Sequence, residues 1–231
     1  MRSAQNTTPV PGRSGPTRGR LVGAAAIAFG VLWVMENVLF AVSRAPGYST
    51  PIEDVLAYYA AGSGTIAIIS GLVALYLPLL LVFVTGLHGI VERRGGAGAD
   101  WSRLAVAAGA ALSAIFVLFN ATQIGLALSA HGMDEPTPVF ELIWQIHAAA
   151  FGLALPMIGT TCIGVTLATH ASGLTPAWQR LLGLVGGSLL LVAGVGCFAI
   201  ADGSGLIFVG LLGFAVWLVW LLATGVRLVR S

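Results

Sequence analysis

Six apolar runs, at about 21–43, 56–91, 103–130, 139–169, 179–200 and 205–227, constrain this chain more than any other feature. Each supplies the roughly 20 residues that a helix needs to cross a bilayer. Backbone amides have no water partner in lipid, so a spanning run must bond internally as a helix or close into a barrel. The short alternating strands of a barrel are absent. The sequence therefore predicts an all-α fold, a polytopic membrane helix bundle with six transmembrane helices. Composition agrees. The chain is 57% hydrophobic and 9% charged, with mean hydropathy +0.93, against about 25% charged residues in a soluble domain.

Residues 1–20 differ from the rest. They hold Pro, Gly, Ser, Thr and four arginines, too polar to build a core, and predict a disordered cytoplasmic tail. The run after Arg20 is about 23 residues long, too long for the apolar centre of a cleaved signal peptide, so a retained helix is expected. Residues 21–231 then form one transmembrane domain. The second and fourth runs contain Pro78 and Pro156, candidate helix kinks.

All basic residues are arginine, and their placement predicts an orientation. With six spans, one side receives Arg2, Arg13, Arg18, Arg20, Arg93, Arg94, Arg103, Arg180, Arg227 and Arg230, and the other only Arg44. The positive-inside tendency places both termini in the cytoplasm, in the plasma membrane. The scattered net charge of +2 gives no basic patch for nucleic acid. Cys162 and Cys197 fall at different depths, so no disulfide is expected between them.

An internal echo suggests duplication. DWSRLAVAAGAAL at 100–112 parallels AWQRLLGLVGGSL at 177–189, and Leu77-Pro78 parallels Leu155-Pro156. The pattern reads as a parallel two-helix repeat, a proline-bearing helix followed by one opening on Trp-x-Arg. The same residues are also what two interfacial anchors at one membrane face would use.

Within the runs lie polar residues that lipid tolerates poorly. In VLWVMENVLF, residues 31–40, Glu36 and Asn37 interrupt apolar sequence. A carboxylate there costs about 2.5 kcal/mol or more on insertion scales unless it is neutral, partnered or hydrated. Asn120 and Gln123 on the third run, and Gln145 and His147 on the fourth, fall at similar depth, roughly 9–15 Å below the outer boundary at 1.5 Å per residue. Glu141 stands above them, and shares a helix face with Trp144 and Gln145.

Two readings of this layer stay open. Asn and Gln often hold membrane helices together by hydrogen bonds. Alternatively the layer lines a cavity opening outward or sideways into lipid. Glu36 would then be a catalytic acid and His147 its base or relay, with Trp33, Asn37, Asn120, Gln123, Glu141, Trp144 and Gln145 binding substrate. Trp33, Phe40, Phe116, Phe119, Trp144 and Phe151 lie near the same depth, and aromatic faces stabilise carbocations. No metal site or cofactor is predicted. HExxH, Walker, GxSxG and CxxC patterns are absent, leaving zinc protease, ATPase, serine hydrolase and thiol redox chemistry without support.

The segments PIEDVLAYYAAGSG, LHGIVERRGG, GLTPAWQRLLGLVGG and LVWLLATGVRLVR resemble small six-helix membrane proteins of actinobacteria, in groups of unknown function. The resemblance covers most of 20–230 and implies fold and location, not activity. The first helix of that pattern is usually fully apolar, so Glu36-Asn37 departs from it. The W-x-x-E of Trp33 to Glu36 is similar to a feature of membrane-bound terpene cyclases. Those are helical bundles that use intramembrane carboxylic acids to protonate an isoprenoid epoxide or alkene. They have seven helices and a second acid without counterpart here, so the similarity implies a role for Glu36 alone. The leading expectation is an acid–base enzyme of cyclase or isomerase type, acting on a lipophilic, isoprenoid-like small molecule drawn from the lipid bilayer. The alternative is a non-catalytic membrane protein: a small-molecule carrier, an immunity factor or a partner subunit.

Overall fold

A computed structural model describes residues 17–230. Eight helices follow in order: α1 (Thr17–Val42), α2 (Ile52–Ala61), α3 (Ser63–Arg93), α4 (Ala99–Ala130), α5 (Pro138–Ala171), α6 (Ala177–Val195), α7 (Cys197–Ala201) and α8 (Ile207–Arg230). No strand occurs among the described residues. Six helices, α1, α3, α4, α5, α6 and α8, are long and apolar enough to cross a membrane. The expected all-α six-helix bundle is therefore what the chain forms, and it is a multi-pass membrane protein.

The expected tail boundary moves. Residues 1–16 lie outside the described residues, but Thr17–Arg20 already form the first turn of α1. Two apolar runs also divide. The run expected at 56–91 breaks at Gly62, whose N–H closes on the Tyr58 carbonyl at 3.0 Å. Glycine is a poor helix former, by about 1 kcal/mol; Gly62 is the break itself and Gly64 lies in the first turn of α3. The run expected at 179–200 stops at Val195, next to Gly194 and Gly196. Gly194 is fixed by packing, since a Cβ there would collide with the Pro156 ring of α5. Both α3 and α5 continue through Pro78 and Pro156 as single helices.

Each long helix packs on its neighbours in chain order, and α8 returns to α1, closing a ring α1–α3–α4–α5–α6–α8. Close approaches tighten the ring. A Cβ on Gly159 of α5 would stand 2.7 Å from the Gly187 carbonyl of α6, so only hydrogen fits there. Inside the ring the core is aromatic: Phe29 and Trp33 of α1 meet Tyr76 of α3, Phe116 of α4, and Phe214 and Trp217 of α8. Outside, large apolar side chains face outward, Leu75 at 61%, Leu128 at 74% and Leu181 at 66% exposure. Such a girdle is costly in water and ordinary in lipid.

The end of the bundle away from the termini has its own small core. α2 lies over it, and Val55, Leu56 and Tyr59 pack on Ile66, Leu126, Phe140 and Trp144. Thr137 caps α5 there, its hydroxyl accepting from the Phe140 N–H at 3.2 Å, with Pro138 in the first helical position. This fixes the start of the helix that carries His147.

Candidate functional site

Helical spacing explains how Glu36 is held. Phe29, Trp33, Glu36 and Phe40 stand four, three and four residues apart, which is one face of a helix. Phe29, Trp33 and Glu36 are buried, Glu36 at 2% exposure, while Met35 beside it is 47% exposed. The carboxyl therefore points into the bundle and not at acyl chains. Asn37 is exposed and returns its amide to its own helix, Nδ2 donating to the Trp33 carbonyl at 2.9 Å.

Glu36 lines a cavity of about 90 Å³. Four helices wall it. α1 gives Trp33, Glu36, Asn37 and Phe40, α4 gives Phe116 and Phe119, α5 gives Phe151, Leu155 and Ile158, and α8 gives Gly210, Leu211 and Phe214. Glu36 is the one ionisable side chain in this lining. No ion pair among the described residues includes it, and Arg44, at the end of α1, is exposed and does not reach it. Its polar neighbour is the Tyr76 hydroxyl of α3, buried and short of hydrogen-bond geometry with any group. Asn37 and Leu211 are both exposed, so the mouth lies between α1 and α8 and faces sideways.

The structure divides the residues of the expected polar layer among three places. Trp33, Glu36 and Asn37 belong to the cavity. Glu141, Trp144 and Gln145 line a separate groove of about 600 Å³ at the far end, with Tyr48 and Asp202. There Gln145 Nε2 donates to Glu141 Oε1 at 3.4 Å. Asn120, Gln123 and His147 lie between helices. Asn120 Nδ2 donates to the Ser70 carbonyl at 3.4 Å, tying α4 to α3, and Gln123 is 1% exposed.

His147 does not line the Glu36 cavity. Its ring stacks on Phe119, 4.0 Å between centroids, and on Trp144 at 5.4 Å. Its Nδ1 sits 3.2 Å from the Phe119 carbonyl and 3.1 Å from Thr122 Oγ1. A carbonyl only accepts, so Nδ1 carries its hydrogen there, leaving Nε2 as the basic nitrogen. The expected acid–base pair is therefore not assembled: Glu36 and His147 share neither a hydrogen bond nor a ring contact. Phe119 touches both sites. Of the residues expected to bind substrate, Asn120, Gln123 and Gln145 also lie outside the cavity lining.

Residues that sequence reasoning passed over complete the site. Phe214, Leu211 and Gly210 come from the sixth span, which has no ionisable side chain at depth. The Phe214 and Trp33 centroids are only 3.7 Å apart. In a helix that is apolar all round, periodicity does not separate the lipid face from the inner face. Tyr76 was equally hidden among leucines. No group of three or more His, Cys, Asp or Glu able to hold a metal occurs among the described residues. Cys162 and Cys197 are both free.

Comparison with protein-family models, curated proteins and solved structures returned no match.

Proposed function

We propose that the Glu36 cavity takes the branched end of a lipophilic, isoprenoid-like chain from the bilayer and isomerises or cyclises it by proton transfer. The observation that carries this reading is one buried carboxyl, with no cation beside it, in a cavity walled by six aromatic rings: Trp33, Phe40, Phe116, Phe119, Phe151 and Phe214. A neutral Glu36 would give its proton to one carbon of an alkene, forming a C–H bond and a cation on the other carbon. Ring faces attract such a cation. The Glu36 carboxylate would then remove a proton from an adjacent carbon, forming a new double bond and regenerating the acid. Atoms and charge balance without a second base or co-reactant, so His147 is not needed. At about 90 Å³ the cavity is smaller than the roughly 150 Å³ void that admits benzene. It suits a chain end, with the remainder leaving through the sideways mouth. In the orientation implied by the arginines, both termini are cytoplasmic and the cavity lies in the outer half of the plasma membrane.

The test is hydrogen exchange. The full chain in phospholipid nanodiscs in D₂O is supplied with geranylgeraniol and related prenyl alkenes, and the recovered lipid is examined by mass spectrometry. Deuterium in the recovered or rearranged chain is expected from the wild type. A loss of about a hundredfold or more is expected from folded Glu36→Gln. No incorporation by wild type across the prenyl probes, or equal incorporation by the variant, would remove the enzyme reading and leave a carrier or other non-catalytic membrane protein.

A further inference from the structure

At the end of the bundle that carries the termini lies a further pocket, of about 280 Å³, far along the helices from Glu36. Arg94, just past the end of α3, and Arg227, in the last turn of α8, both line it. Thr169 of α5, Thr224 of α8 and Leu174 also line it. No carboxylate is among its lining residues.

The arginines around it divide by what they touch. Arg103 is satisfied by Glu92 at 3.3 Å and Asp100 at 3.1 Å. Arg94 and Arg227 have no ion pair or side-chain hydrogen bond among the described residues. Nearby, the Arg18 and Arg93 guanidiniums meet over Gly89, each 3.3 Å from where a Cβ would stand, and neither makes an ion pair among the described residues. Converging cations without counter-charge raise a positive potential that an anion relieves.

The hydroxyls add direction. Thr169 spends its proton on the Val165 carbonyl at 2.8 Å and accepts from Thr175 at 3.1 Å. Thr224 instead accepts from Gln179 Nε2 at 3.4 Å, so its own hydrogen is free to donate. The donor set is two guanidinium forks and one hydroxyl, which matches the oxygens of a phosphate. Leu174 and Leu228 give the same pocket an apolar wall.

We infer that this pocket binds a phosphate group between Arg94 and Arg227, carried by an anionic lipid headgroup or by a soluble phosphate. The helix-end position, at headgroup level, and the apolar wall favour the lipid. The test uses the full chain in detergent, with native mass spectrometry reading bound phosphatidylglycerol, phosphatidylcholine or inorganic phosphate. Phosphatidylglycerol should bind, and Arg94→Gln with Arg227→Gln should weaken it about thirtyfold. A charge-matched control, Arg103→Gln with Arg230→Gln, should weaken it far less. Inorganic phosphate that competes with equal affinity would assign the site to a soluble phosphate. Equal loss in both double variants would overturn the site and leave only diffuse surface attraction, as would tighter binding of phosphatidylcholine than of phosphatidylglycerol. Both variants are first checked for wild-type elution and helicity.

Discussion

Phe119 lines the Glu36 cavity while its ring stacks on His147 at 4.0 Å, so one aromatic ring belongs both to the cavity wall and to the packing of the buried imidazole. His147 is thereby a pin between α4 and α5. Its Nδ1 holds the Phe119 carbonyl and its ring fills the space between Phe119 and Trp144. His147→Phe keeps the stack and loses the polar bond, so a destabilisation of about 1 kcal/mol is expected. His147→Ala loses both and should cost about 3 kcal/mol or more. Thermal melts of the two variants in one detergent check the order. Equal losses would mean that the ring contributes nothing beyond its hydrogen bond.

Glu36 should be held at a cost to stability. It is 2% exposed with no cation beside it, whereas an apolar side chain of similar length would need no polar partner. Glu36→Met is expected to raise stability by about 1–3 kcal/mol and to abolish any proton exchange. A rise in melting temperature checks it. A fall would show that the carboxyl is well satisfied in the native state and that its environment is more polar than its lining implies.

The α5–α6 seam depends on glycine. With the Gly187 carbonyl 2.7 Å from a Cβ at Gly159, even one methyl must push the helices apart. Gly159→Ala should cost about 1–3 kcal/mol by overpacking. Gly125, on α4, has nothing within 4 Å of its Cβ position, so Gly125→Ala should be neutral or slightly stabilising. Chemical or thermal unfolding of the pair separates packing from helix propensity.

Two tyrosines outside the spans predict alkaline sensitivity. Burial, with Tyr59 nearby, holds the Tyr48 phenol well above its ordinary pKa. Burial, with Tyr58 nearby, raises that of Tyr59. In the unfolded chain both ionise near pH 10. Above that pH the native state binds more protons than the unfolded state, so stability falls as pH rises. Between about pH 9 and pH 11 the wild-type melting temperature should drop more than that of Tyr48→Phe with Tyr59→Phe. An identical drop would show that these phenols ionise freely in the folded protein.

Much of the bundle was legible because lipid leaves few choices. A run such as 205–227 has to be a helix, and the count of six follows from length. The two unexpected breaks within runs, at Gly62 and Val195, arose where apolar composition continues but backbone geometry does not. The inward turn of Glu36 was also legible, since Phe29, Trp33 and Phe40 repeat at helical spacing with it. Spacing along the helices gave an expected depth for Asn120, His147 and Gln145, but depth is one coordinate. Rotation about each helix axis decides which neighbour a side chain meets, and in helices with apolar residues on every side the sequence carries no mark of it.

Residue order by itself determined six runs able to cross a membrane, with every arginine but Arg44 assigned to one side and a carboxyl a few turns from the other end of its run. The energy of taking backbone and charge out of water fixes those properties, and that energy is additive along the chain. The ring closed by α1 and α8 decided the rest. It brought Phe214 against Trp33, walled Glu36 with six rings, and left His147 behind Phe119. Those outcomes depend on how helices rotate and mesh, and meshing is a property of pairs of surfaces distant in sequence.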